Sequence, residues 1–247
     1  MERYDLNCDT GEGIGNEAEL MPYITSANIA CGNHAGDRDT MKQVVELCVA
    51  HNVAIGAHPS FRDRENFGRI DLIGKGLKPA DVQELVAEQV HILQQVVKEC
   101  GAVLHHIKPH GALYNRAAWD VETGAALCSG IIDIDPELLV YGLSGSALRE
   151  VAQGFGLRFW NEVFADRTYQ ENGSLTPRTQ PGALIEEEEK AIRQVTEMLL
   201  HQTVQTALGK RISIEAQTIC LHGDGSHAVT FARRLHSHLQ QIIPQNP

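Results

Sequence analysis

The sequence predicts an α/β fold in one unit spanning residues 1–247: parallel strands forming a sheet or barrel, with helices packed around them. Three observations carry this prediction. Short apolar runs alternate with segments of helical spacing; nearly every run stops at a polar residue beside a glycine or proline; and 247 residues is an ordinary length for a single β/α barrel. Alternating strands and helices imply parallel pairing, because parallel neighbours need a long, right-handed return connection.

The apolar runs are residues 4–8, 27–30, 53–57, 103–107, 138–143, 157–163 and 218–221. Between them, 41–52 puts Met41, Val44, Val45 and Cys48 on one helical face. The stretch 81–100 does the same with Val82, Leu85, Val86, Gln89, Ile92, Leu93 and Val96. Residues 185–208 read as a third long helix whose acidic start, 186–189, suits the helix dipole.

The residues at the end of each run are more informative. The first leads into Asn7, Asp9 and Glu12; the second into Cys31, Asn33 and His34; the third into His58. The fourth leads into Lys108 and His110, the fifth into Ser144 and Ser146, the sixth into Asp166 and Arg167, and the seventh into His222 and Asp224. Gly11, Gly32, Pro59, Gly111, Gly145 and Gly223 let the chain turn there without filling the space above the strands. All strand C-termini of a parallel sheet or barrel lie on one face, so these groups are expected to converge on one crevice. A helix N-cap is the plainer reading for Ser144, Asn33 or Asp224 taken singly.

Composition narrows the function. A hydrophobic content of 43% with 21% charged residues is globular. The net charge of −11 excludes a sequence-independent grip on nucleic acid, which needs clustered Lys and Arg. No run approaches the roughly 20 apolar residues of a membrane span. The start MERYDLNCDTGEG turns polar too early for a signal peptide, and the six cysteines form no CxxC pair. A cytoplasmic protein with reduced thiols is expected.

Nucleophile and nucleotide motifs fail. No GxSxG elbow exists, and Gly68 to Gly74-Lys75-Gly76 has the wrong spacing for a phosphate loop and lacks the hydroxyl residue after the lysine. GEGIG at 11–15 is glycine-rich but is not GxGxxG. Carboxylates and imidazoles remain: Asp9, Glu12, His34, His58, His110, His222 and Asp224 suit general acid–base work first and, as a secondary reading, a metal with an open position. Lys108 either polarises a carbonyl with a depressed pKa or pairs with Asp9 or Asp224. Arg69, Arg167 and Arg178, in turn-rich loops, suit a bidentate clamp on a carboxylate or phosphate or else form loop salt bridges. Trp119 and Trp160 read as packing residues.

The blocks DLNCDTGEG (5–13), ANIACGNHAGD (27–37), IGAHPSFRDRENFGR (55–69), IKPHGALYN (107–115), EVFADRTYQENGSLTPR (162–178) and TICLHGD (218–224) closely resemble the LamB/YcsF family. That family is associated with the A-type component of prokaryotic ATP-dependent 5-oxoprolinases. The sequence departs from the family pattern at Asn33, where an aromatic is expected, and at Ser60-Phe61 in place of a Gly-aromatic pair. The resemblance implies a seven-stranded, distorted β/α barrel (TIM-like) of the glycoside hydrolase/deacetylase type. It implies hydrolysis of the lactam of 5-oxo-L-proline to L-glutamate, coupled to ATP (with Mg2+) and carried out with B- and C-type partner subunits. On that reading the loop arginines hold substrate carboxylate or phosphate, Lys108 and His110 stabilise an oxyanion, and Asp9 or His58 activates water; Glu12 and Asp224 join the catalytic set, and Asn7, His34, Asp166 and His222 line the substrate. The rival readings are a stand-alone metal-dependent carbohydrate deacetylase and a non-catalytic binding or regulatory subunit.

Overall fold

The protein is described from a computed structural model that covers residues 4–223 and 228–242. Its strands are β1 (Asp5–Thr10), β2 (Ser26–Ala30), β3 (Ala54–His58), β4 (Leu104–Ile107), β5 (Leu139–Leu143), β6 (Phe159–Phe164), β7 (Thr203–Gln205), β8 (Arg211–Ser213) and β9 (Thr218–Leu221). The helices are α1 (Glu17–Leu20), α2 (Arg38–His51), α3 (Asp81–Glu99), α4 (Gly111–Trp119), α5 (Val121–Ile132), α6 (Leu148–Gly154), α7 (Glu188–His201) and α8 (Ala228–Ile242). Strands β1 to β6 and β9 close into a parallel barrel, with β9 bridging β6 and β1. Each apolar run of the sequence thus forms one barrel strand. The closure is uneven: β3 and β4 shift register at Ile55/Gly56, and β4 and β5 share only the pairs His106↔Leu139 and Ile107↔Val140.

The expected helix over 185–208 needs correction. It runs from Glu188 to His201 and stops at Gln202, which is left-handed at φ 52°. The β-branched residues Thr203 and Val204 then extend into β7, which pairs antiparallel with β8 and buries Val204 completely. Burial of Val204 outweighs another helical turn there. Helices α4, α5 and α6 lie outside the segments that periodicity predicts. Trp119 is also not a packing residue; it is 43% exposed.

The outward side chains of the strands, Leu6, Ile29, Ile107, Val140, Val163 and Ile219 among them, are buried in the layer that faces the helices. The interior is polar instead. Asn7 on β1 donates to Glu162 on β6 at 2.9 Å, and these strands are not neighbours, so the contact spans the barrel. His106 on β4 reaches past β3 to Asn28 on β2 at 2.8 Å. Gly56 makes that reach possible: a Cβ there would lie 2.0 Å from His106 Nε2. The His106 ring stacks on Tyr141 at 4.1 Å, and Asn28 donates to both Asn7 and Asp9. Asn7, Asn28 and His106 thus each have a polar partner on another strand, so the network fixes register as a greasy interior would not.

Candidate active site

The floor of the C-terminal mouth is a buried ammonium among acids. Lys108, just past β4, places Nζ 2.8 Å from Asp9 Oδ1, 3.0 Å from Glu162 Oε1 and 3.0 Å from Cys220 Sγ. Burial works against this charge, but Asp9, Cys220 and Glu162 outweigh it and raise the lysine pKa well above its usual value. Asp9 shows the converse. Burial opposes ionisation, yet His58 and Lys108 hold its carboxyl well below the usual carboxylate range. The depressed lysine pKa considered from the sequence is therefore corrected: Lys108 is a paired, protonated cation.

Three imidazoles rise above this floor with Glu12. His58 at the end of β3 directs Nδ1 to the Lys108 carbonyl (2.7 Å), leaving Nε2 3.4 Å from Asp9 Oδ2. His110 sits in the turn before α4, with Nε2 on the Phe67 carbonyl at 2.9 Å and Nδ1 2.9 Å from His58 Nε2. His34 stacks flat on His110 at 3.9 Å, with Nδ1 2.9 Å from Ser60 Oγ and Nε2 3.1 Å from Glu12 Oε1. The loop between β3 and α3 closes this wall. Gly68 is left-handed at φ 64°, and a Cβ on it would meet the His110 ring at 2.9 Å. Burial, then the neighbouring His58, pulls His34 down to about 3 and His110 well below the ordinary imidazole value.

Across the mouth, His222 after β9 places Nδ1 2.8 Å from Asp166 Oδ2 beyond β6. Burial opposes the Asp166 charge, but His222 outweighs it and lowers the carboxyl. The carboxylate orients the ring through Nδ1, as it would an acid-supported base, and His222 lies beside Asp9 and Cys220, with ligand atoms of the three within 4.8 Å of one another.

The sequence expectations sort cleanly against this geometry. Asn7, Asp9, Glu12, His34, His58, Lys108, His110, Asp166 and His222 share one polar system at one end of the barrel. Arg167 is engaged within the fold. It is buried, and its guanidinium donates to the carbonyls of Ala183 and Thr176, pinning the loop after β6. Arg69 stacks over Phe67 at 5.0 Å on the rim, and Arg178 is exposed and close enough to lower Asp166 and Arg167. Asp224 lies outside the described residues. Sequence reasoning misses Asn28, Ser60, His106, Glu162 and Cys220. A charged Glu162 between Asn161 and Val163 near the end of a strand run, and Asn28 within a strand, are the available signals.

A closed parallel barrel whose mouth joins acid, imidazole and ammonium groups defines a β/α-barrel protein equipped for acid–base chemistry. The LamB/YcsF family model matches residues 4–244, and the chain belongs to that family. It is 49% identical over 244 residues to the 5-oxoprolinase A-type subunit of Geobacillus thermodenitrificans (strain NG80-2), covering 97% of this chain and 94% of that one. The corresponding 5-oxoprolinase component of Geobacillus kaustophilus (strain HTA426) is 48% identical over 244 residues, with the same coverage. Among solved structures, the lactam utilization protein of Thermus thermophilus superposes with a TM-score of 0.89 at 37% identity, over 98% of this chain and 97% of that one.

Proposed function

We propose that this chain is the A-type component of an ATP-dependent 5-oxoprolinase and opens the lactam of 5-oxo-L-proline to L-glutamate at the barrel mouth. The observation that carries the reading is near-half identity, over almost the whole length, to relatives bearing that name. The mouth supplies the groups the reaction needs. An unstrained five-membered amide resists water, and phosphorylation of its oxygen by ATP with Mg2+ makes the carbonyl carbon electrophilic.

His222, held by Asp166, takes the proton of the attacking water and returns it to the departing ring nitrogen; the acyl phosphate so formed is hydrolysed by a second water to L-glutamate and inorganic phosphate. This moves the base away from Asp9, whose carboxylate is spent on Lys108 and His58 and is too weakly basic. Lys108 keeps positive charge beneath the reacting carbonyl, and His110 walls the pocket beside it. Rim residues Arg69 and Arg178 receive the substrate carboxylate or phosphate. ATP is held with the B- and C-type partner subunits, in keeping with the failed phosphate-loop match at Gly68–Gly76 in the sequence. The thiols Cys8, Cys31, Cys48, Cys128 and Cys220 are free and buried, which supports a cytoplasmic setting.

The test is glutamate release from 5-oxoproline with ATP, by the chain alone and after reconstitution with both partner subunits. Release in the complex is the expected result; release in neither condition defeats the reading.

A further inference from the structure

The geometry points to a divalent metal site at the barrel mouth in which Glu12 Oε1, His58 Nε2 and His110 Nδ1 are the ligands and a first-row transition ion of zinc type is the guest. The argument begins with hydrogen placement. The outer nitrogen of His58 faces the Lys108 carbonyl at 2.7 Å, and the outer nitrogen of His110 faces the Phe67 carbonyl at 2.9 Å. A carbonyl only accepts, so each outer nitrogen carries the ring hydrogen. Neutral rings so placed bring their inner nitrogens to 2.9 Å with a lone pair each, so without a metal one of them must take up a second proton, as His58 does when it faces Asp9 Oδ2 at 3.4 Å. Glu12 adds another acceptor, 3.5 Å from His110 Nδ1 and 3.9 Å from His58 Nε2. Acceptors aimed at one another repel unless a cation stands among them.

The spacing fits such a cation. Zinc binds histidine nitrogen and carboxylate oxygen at about 2.1 Å, and a tetrahedron with those bonds separates its ligand atoms by about 3.4 Å. The observed separations of 2.9, 3.5 and 3.9 Å bracket that value. Carbonyl contacts to the outer nitrogens are the support that metal-bound imidazoles ordinarily have. His34 completes the outer layer: its Nε2 lies 3.1 Å from Glu12 Oε1 and its Nδ1 2.9 Å from Ser60 Oγ, so the ring braces the carboxylate. Its ring lies parallel to His110, so it supports the site from the side and does not aim at the ion. Charge balance agrees: Asp9 and Glu162 flank the ammonium of Lys108, and the carboxylates of Asp9 and Glu12 both face His58 Nε2. Two histidines and a glutamate leave a position open towards the mouth, where a bound ion polarises an oxygen or acidifies water.

The test reads metal content and is independent of the lactam reading. The full chain is stripped with chelator and titrated with Zn2+, and in parallel with Co2+ for its visible spectrum. We expect one ion per chain, intense bands of a low-coordinate cobalt site, and an affinity loss of about a hundredfold or more in His58→Ala. His34→Gln should cost about ten- to a hundredfold as an outer partner, and His222→Asn should leave the affinity intact. Glu12→Gln, nearly isosteric and at the mouth, replaces His58→Ala if that variant does not fold. A wild-type chain that takes up no ion overturns the site, the imidazoles then sharing a proton instead. An affinity that survives His58→Ala and Glu12→Gln, or falls with His222→Asn alone, overturns it as well, because the ion then sits elsewhere.

Discussion

Lys108 Nζ and Asp9 Oδ1 lie 2.8 Å apart inside the barrel, with both side chains less than a tenth exposed. The pair ties β4 to β1 across the mouth, and Glu162 shares the same ammonium. Removing one partner of such a pair leaves the other charge buried alone. Lys108→Met is expected to lower stability by about 3–5 kcal/mol, read as a fall in the urea midpoint. Adding Asp9→Asn to that variant should recover part of the loss; a double variant no better than the single one would refute the pairing argument.

Gly56 is a steric prediction. A methyl group there collides with the His106 ring, which would have to give up its bond to Asn28 and its stack on Tyr141. Gly56→Ala should cost about 1–3 kcal/mol in chemical denaturation, and His106→Ala in the same chain should relieve much of it. Equal stabilities for Gly56→Ala and the wild type would mean that the ring moves freely.

Acid should weaken the fold before ordinary carboxylates titrate. His34 and His110 are depressed in the folded state, so the unfolded chain binds their protons more readily. Their contribution is complete above the unfolded value of about 6.5 and is lost as pH falls below it, at up to about 1.4 kcal/mol per pH unit for each ring. Asp9 and Asp166, also depressed, contribute above about pH 4 and lose that stability as pH falls through their folded values. Melting temperatures with chelator present should therefore decline from pH 7.5 to pH 5, and less steeply in His34→Gln. A flat profile would contradict buried, neutral imidazoles.

The rim arginines should separate by phenotype. Arg178→Ala is expected to raise KM for 5-oxoproline or ATP about tenfold, a loss of about 1.4 kcal/mol, with an unchanged melting temperature. Arg167→Ala should instead loosen the loop after β6 and lower the melting temperature, because its bonds go to Thr176 and Ala183. Reversed phenotypes would return Arg167 to the substrate clamp.

Much of this is readable in the chain. Period and punctuation mark every barrel strand, and the polar residue after each one points to the mouth, which is why Asp9, His58, Lys108 and His110 emerge together. Pattern fails where contact decides. Arg167 has the composition of a clamp, and only the structure shows it buried with two of its donors on the carbonyls of Ala183 and Thr176. Val204 continues a helical pattern but is worth more buried in a hairpin. Glu162 and Asn28 sit within strand runs because the barrel interior, unlike a hydrophobic core, is polar. Nothing local in the sequence says which strand face turns inward.

The most direct measurement of the central claim is 5-oxoproline-dependent glutamate release by the reconstituted complex carrying His222→Asn or Asp166→Asn in this chain. Loss of a positioned proton-transfer group typically costs about 10²–10⁴-fold, so the account predicts a kcat drop of that order while the complex still assembles and the melting temperature holds. Turnover equal to wild type in both variants would contradict it.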